Sequence, residues 1–159
     1  MTPRLAVVLL VACAVGAGAA SGAGSATQLP GFRSPSRNIS CLFVPSAPTS
    51  SGGRTPATLL CKIARSDYAQ QLQRRCMGPS GGGVDWRGFE LAATTKGTVE
   101  CSGGILYNPT TEHPSYVALA YGKTWRHKMF SCTSRTDGVN CSTPSGHGLF
   151  VSRETWRVW

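Results

Sequence analysis

Apolar and polar positions alternate over short stretches of this chain, a pattern that is typical of strands in a half-buried sheet. The β-branched and aromatic run Ile39–Val44 predicts one strand, and the run from 59 to 63 predicts a second. The same character returns in six segments, around Phe89 and Leu91, around Val99 and Cys101, and over 116–121, 128–133, 139–142 and 149–153. Short strands separated by glycine, proline and asparagine turns predict a mostly β fold, either a small barrel or a sandwich.

One segment, at about 66–76, has the periodicity of a helix. Tyr68, Leu72 and Cys76 recur every four residues, so they share one face. Ser66 is placed to cap the N-terminus of this helix, and Asp67 lies near the positive end of its dipole. The sequence therefore predicts one short helix beside the strands.

Residues 1–26 have the pattern of a secretory signal peptide followed by a spacer of small residues. Arg4 precedes the uncharged apolar run Leu5–Val15, and glycine, alanine and serine then dominate. This run is shorter than the roughly 20 residues that a membrane-spanning helix needs. We expect cleavage between Ala19 and Thr27, a mature protein that is secreted or associated with the cell wall and has no transmembrane segment, and a single disulfide-bonded, β-rich domain over 27–159.

The same N-terminal segment allows an alternative interpretation. Leu10-Val11-Ala12-Cys13 resembles a lipobox. Lipidation of Cys13 would make the protein a lipoprotein held at the membrane surface.

Six cysteines remain once Cys13 is set aside with the signal segment. An even number in an exported chain indicates three disulfides. A turn over 135–138 sets the cysteines on either side of it opposite each other, and residues 39–61 show a weak echo of that pattern. Since no cysteine belongs to a C-x-x-C pair, we expect no metal and no cofactor. The predicted bridges, the last by elimination, are Cys132–Cys141, Cys41–Cys61 and Cys76–Cys101.

Sixteen lysines and arginines face seven acidic residues, which gives a net charge of +9. Because the excess is spread along the chain, it predicts weak, salt-sensitive attraction to polyanions. The expected partners are anionic envelope polymers or glycans, without specific nucleic-acid binding. No pattern indicates an oligomeric state.

Two stretches interleave tryptophan with cations, and such stretches can stack on a ligand while neutralising its charge. They make Trp125, Arg126, Lys128, Trp156 and Arg157 the candidate ligand-binding residues, with Trp159 as a further source of specificity if it is exposed. Strand alternation offers a simpler interpretation, in which each tryptophan packs inward and the cations face water. The leading functional hypothesis is an exported, non-enzymatic binding or structural domain.

A small secreted hydrolase such as a ribonuclease is the alternative. Such an enzyme needs an acid, a base and nearby cations, for which the candidates are His147, His127 and Asp85, with His113 and Glu100 as further titratable groups. The sequence Gly78-Pro79-Ser80-Gly81-Gly82 matches G-x-S-x-G. It follows a helix and precedes more glycine, the reverse of a nucleophile elbow, so we interpret it as a linker.

Several blocks of the chain carry a resemblance to a known family. The most specific are Ser34-Pro35-Ser36-Arg37-Asn38-Ile39-Ser40-Cys41 and Gly146-His147-Gly148-Leu149-Phe150-Val151-Ser152-Arg153. With them, the chain resembles an uncharacterised family of small secreted or lipid-anchored actinobacterial proteins. The resemblance implies export and disulfides and supplies no activity. Two positions depart from the family pattern, since Gly104 stands where an acidic residue is usual and Arg87 where glycine is usual.

Overall fold

The computed structural model of the chain describes residues 30–79, 81, 83–103 and 116–159. The predicted signal segment, Cys13, His113, Ser80 and Gly104 lie outside these residues. The elements are β1 Gly31–Arg33, β2 Ile39–Val44, β3 Ala47–Pro48, β4 Arg54–Thr55, β5 Thr58–Ile63, α1 Ala69–Met77, β6 Asp85–Ala92, β7 Thr98–Ser102, β8 Val117–Ala118, β9 Thr124–His127, β10 Phe130–Arg135, β11 Gly138–Ser142, β12 Gly148–Val151 and β13 Trp156–Val158.

The first sheet has six strands in the order β7-β6-β5-β2-β1-β8. Its pairs are antiparallel except for β1 with β8, which run parallel. The predicted strand Ile39–Val44 is confirmed as β2. The proline-rich stretch that follows it, which contains no periodic pattern, forms the small hairpin β3–β4.

The second sheet is an antiparallel meander of five strands, β9 to β13, in which each strand pairs with the next along the chain. The segment 128–133, predicted as one strand, is a strand only from Phe130 onward, as the start of β10, because Lys128 and Met129 form the turn between β9 and β10. Lys128 lies in that turn with φ of +53°, a left-handed backbone conformation that two-residue hairpin turns use.

The two sheets pack against each other through one apolar core. Phe43 of the first sheet contacts Phe130 of the second, with ring centroids 6.0 Å apart, and Phe32 lies 5.1 Å from Trp125. Neither sheet closes into a barrel in the described part of the chain. Of the two predicted architectures, the layered one is therefore confirmed and the barrel is wrong.

All three predicted disulfides are present. Cys41 faces Cys61 across β2 and β5, with Cα atoms 4.1 Å apart, and Cys132 faces Cys141 across β10 and β11 at 4.0 Å. The sulfur atoms of Cys41, Cys61 and Cys141 lie within 4.8 Å of one another. The two cross-strand bridges therefore meet in the core, where each adds about 3 kcal/mol of stability in the loop-entropy account.

The helix begins later than the sequence predicts. It runs from Ala69 to Met77, with Tyr68 at the N-cap and no side-chain cap, so the capping role predicted for Ser66 is wrong. Asp67 lies two residues before the helix and outside its first turn. The reason is a long-range contact. The Asp67 amide donates to the Arg153 carbonyl, and the Tyr68 hydroxyl donates to the Ser152 carbonyl. These bonds hold the residues before the helix against the turn that precedes β13.

No described helix is long and apolar enough to cross a membrane.

Candidate functional site

The outer side of the five-stranded sheet carries polar side chains around aromatic rings. Strand alternation turns Val139 and Val151 into the core and leaves Asn140, Phe150 and Arg157 on the opposite side. These three residues lie next to one another across β11, β12 and β13. The register therefore brings an amide, a phenyl ring and a guanidinium into one row.

This row forms part of an open cavity of about 520 Å³, which we call the outer hollow. A cavity of this size falls in the range of small-ligand sites. Its lining combines aromatic rings with charged and neutral hydrogen-bonding groups: Arg135, Asp137, Asn140, Phe150, Thr155, Trp156 and Arg157.

A glycine positions the ring of Phe150. A Cβ atom at Gly138 would lie 2.9 Å from the Cζ atom of Phe150 and 3.0 Å from its Cε2 atom. The ring therefore lies against the bare backbone of Gly138, and any side chain there would displace it. Trp159 uses Gly148 in the same way, because a Cβ at Gly148 would overlap the indole ring.

Two cations flank the hollow. The Nε of Arg135 lies 2.9 Å from a carboxylate oxygen of Asp137 across the β10–β11 turn, and both side chains are exposed. Arg157 makes no ion pair with another described residue, and its guanidinium carbon lies 5.6 Å from the ring centroid of Trp159. Arg157 is therefore the cation of this hollow that a carboxylate or phosphate can reach without breaking an ion pair.

The structure divides the predicted ligand-binding residues. Trp156 and Arg157 line the outer hollow. Arg126 and Lys128 line a different, smaller cavity of about 350 Å³ at the other edge of the sheet. Trp125 packs inward against Phe32, and it lines neither of these cavities.

Both tryptophans follow the simpler alternation that the sequence allowed. Trp156 also packs inward, with its ring centroid 5.4 Å from that of Phe89. It is half-buried, so one part of the indole reaches the core and another reaches the hollow.

Sequence reasoning missed Asn140, Phe150, Arg135 and Asp137 as site residues. The pairing of β11 with β12 and of β12 with β13 brings Asn140 and Phe150 to Arg157, and the β10–β11 hairpin adds Arg135 and Asp137. The one usable signal was the period-2 pattern of β12, which puts Phe150 on the side opposite Leu149 and Val151.

The predicted acid–base residues make separate contacts. Asp85 accepts from Gln73 at 3.1 Å and pairs with Arg87 at 3.1 Å. His127 meets the edge of the Phe43 ring, and burial, together with nearby Lys128, lowers its pKa. His147 lies in the β11–β12 turn, where its carbonyl accepts from the Thr143 amide. Within the described residues, no contact joins any two of the three.

The other predicted carboxylate, Glu100, lies on β7 beside Glu90 of β6. Burial, reinforced by the charge of Glu90 and a hydrogen bond to it, raises the pKa of Glu100 to about 7. The Glu100 carboxyl therefore takes up a proton at a higher pH than an ordinary glutamate does. The pair lies on the first sheet, whereas the outer hollow lies on the second.

Together, the fold and the hollow define a class of small disulfide-bonded proteins with two packed sheets and a polar, aromatic cavity on one outer surface. The chain belongs to the family of unknown function DUF6636, which matches residues 6–158. No curated protein and no solved structure matches the chain.

Proposed function

We propose that the protein is an exported, non-enzymatic binding module for anionic envelope polymers or glycans, and that the outer hollow is its binding site. The observation that carries this proposal is the grouping of Arg157, Asn140 and the flat ring of Phe150 in one open cavity. An aromatic face stacks on a sugar ring, an amide bonds its hydroxyls, and a guanidinium binds its acidic group.

The N-terminal pattern and the disulfides support export. Three bridges suit an oxidising compartment. The proposal places the protein outside the cell or at the cell wall, with lipidation of Cys13 as the alternative attachment.

The separate contacts of Asp85, His127 and His147 support binding rather than hydrolysis. A general acid and a general base must both reach the same bond. In this fold His127 packs against Phe43, whereas Asp85 is held by Gln73 and Arg87.

The proposal is tested by measuring the binding of an acidic polysaccharide, such as a polyuronate, to the full chain at two salt concentrations. Arg157→Gln removes the unpaired cation of the hollow while keeping most of the side-chain volume. Because a hydrogen bond to a charged group contributes about 1.5–3 kcal/mol, we expect roughly a tenfold or greater loss of affinity.

Arg75→Gln is the matched control, since Arg75 is exposed at the end of α1 and lines no part of the hollow. It removes the same charge and should change affinity less than twofold, the size of a general charge effect. Equal losses in the two variants would mean that the net charge alone attracts the polymer, and the proposed site would be wrong.

A further inference from the structure

A second cavity adjoins the outer hollow, and the proposed binding site does not include it. We call it the end cleft. Its volume is about 400 Å³, and Arg135 and Asp137 line both cavities. The rest of its lining comes mainly from turns of both sheets and includes Ser34, Ser36, Asn38, Arg65, Tyr121 and Arg153.

The turns around the end cleft are held by side-chain hydrogen bonds. The Ser34 hydroxyl accepts from the Ile39 amide at 3.1 Å. The Ser152 hydroxyl accepts from the amides of Glu154 at 3.2 Å and Thr155 at 3.0 Å. These bonds fix the backbone before any ligand arrives, which reduces the entropy cost of binding.

Arg65 is the cation of the end cleft that is available to an acidic ligand. Asn38 binds both backbone groups of Arg65, with its side-chain oxygen accepting from the amide at 2.9 Å and its side-chain nitrogen donating to the carbonyl at 3.0 Å. No described acidic group pairs with the guanidinium. Arg135 is held by Asp137, and Arg153 lies 3.7 Å from Asp67.

The rest of the lining suits a polyhydroxylated ligand. Hydroxyl groups of Ser34 and Ser36 lie 3.0 Å apart, and Tyr121 is 45% exposed. In both cavities the arginines share the lining with hydroxyl, amide and aromatic groups. This mixed lining suits a chain of acidic sugars, which offers hydroxyls and ring faces as well as charge, better than nucleic acid, whose affinity comes mainly from its phosphates.

We infer that the two cavities form one extended site for a linear acidic polysaccharide. One acidic group would bind Arg157 in the outer hollow, the chain would cross the Arg135–Asp137 pair, and a later acidic group would bind Arg65 in the end cleft. This inference rests on the proposed function and adds the path of the polysaccharide across the surface and its second anchoring point. It also assigns a role to the Ser34–Asn38 and Ser152-Arg153 segments.

The test compares a short and a long fragment of one polyuronate, a disaccharide and a decasaccharide, on the full chain. With the wild type, the decasaccharide should bind at least about tenfold more tightly, because its second anchor binds at a high effective concentration. Arg65→Gln should remove most of this advantage and leave disaccharide binding unchanged. Arg157→Gln should weaken both fragments.

Arg37→Gln is the control, because Arg37 is exposed in the Ser34–Asn38 turn beside the cleft and does not line it. If Arg37→Gln lost as much affinity for the decasaccharide as Arg65→Gln does, the inference would be overturned. Equal affinities of the wild type for the two fragments would also overturn the inference. The proposed function would still stand in that case if Arg157→Gln weakened the binding of both fragments. Tight binding of single-stranded DNA without binding of any uronate would overturn the class of ligand.

Discussion

The two edge strands of the second sheet carry the same dipeptide with different consequences. Trp125-Arg126 lies on β9 and Trp156-Arg157 on β13, and in both pairs the tryptophan packs inward while the arginine is exposed. Only the second pair borders a cavity with an aromatic ring on the outer surface. Of the two Trp-Arg pairs in this sheet, only the one on β13 therefore forms part of a candidate site.

The cross-strand neighbours account for the difference. Arg126 faces Ser131 on β10, whereas Arg157 faces Phe150 on β12. Gly138 allows the Phe150 ring to lie against the sheet. An exposed arginine becomes part of a binding surface when the residue beside it supplies a complementary group, and sheet register decides which residue that is.

The largest expected effect comes from removing the tryptophans. Because each indole is half-buried against the core, Trp125→Ala and Trp156→Ala should each lower the free energy of unfolding by about 2–4 kcal/mol. Urea unfolding measures this loss. The folded Trp156→Ala protein should also bind acidic polysaccharide more weakly, since Trp156 lines the outer hollow.

Trp125→Ala is the control for binding in that experiment. It should leave the affinity of the folded protein within about twofold of the wild type, because Trp125 lines neither the outer hollow nor the end cleft. An equal loss of affinity in both variants would contradict the conclusion that only the β13 edge of the sheet belongs to the binding site.

The pH dependence of the free energy of unfolding should distinguish the β9 edge from the β13 edge. His127 stacks on Trp125, with ring centroids 5.7 Å apart, and burial and Lys128 lower its pKa below the usual 6.5. The unfolded chain therefore binds a proton more readily than the folded one, so this group's contribution to stability decreases as the pH falls below about 6.5.

Comparison of the wild type with His127→Gln by urea unfolding between pH 7.5 and 5 measures this contribution. The difference in stability should shift in favour of the variant as the pH falls. Glu100, with its raised pKa, acts in the opposite direction over part of this range, and it cancels in the difference. If the difference in stability did not change with pH, the folded protein would not disfavour the charged form of His127.

The smallest expected effect concerns the turn that ends the β9 edge. Lys128 adopts φ of +53°, which is costly for a residue with a side chain and not for glycine. Lys128→Gly should raise the free energy of unfolding by no more than about 1 kcal/mol. A small rise of the thermal midpoint measures this gain. Polysaccharide affinity should stay within about twofold, since Lys128 lies outside the outer hollow.

Arg37→Gly is the matched variant, because Arg37 has a similar φ of +57°. A comparable gain at both positions would identify backbone conformation as the cause. A loss of stability at Lys128 alone would mean that its side chain makes a contribution larger than the strain.

Much of the fold could be predicted from local patterns. The β2 strand, the helical segment and the disulfides depend on residue types and short spacings, and the structure confirms them in outline. The first residue of α1 could not be predicted, since it depends on bonds from Asp67 and Tyr68 to the distant Ser152-Arg153 turn. β9 was missed because the pattern does not show that Lys128 turns the chain.

The candidate site was predicted only in part, since alternation identified Arg157 as exposed and gave the same result for Arg126. The sequence by itself determined the pattern of inward and outward side chains, the cysteines that form the bridges and the excess of basic residues. Only the tertiary structure decided which outward groups meet. Sheet register joined Arg157 to Phe150 and Asn140, and turns from both sheets brought Arg65 and Arg153 to one cleft. The physical reason is that periodicity acts between neighbours along the chain, whereas a binding site depends on distances between strands and turns that are far apart in sequence.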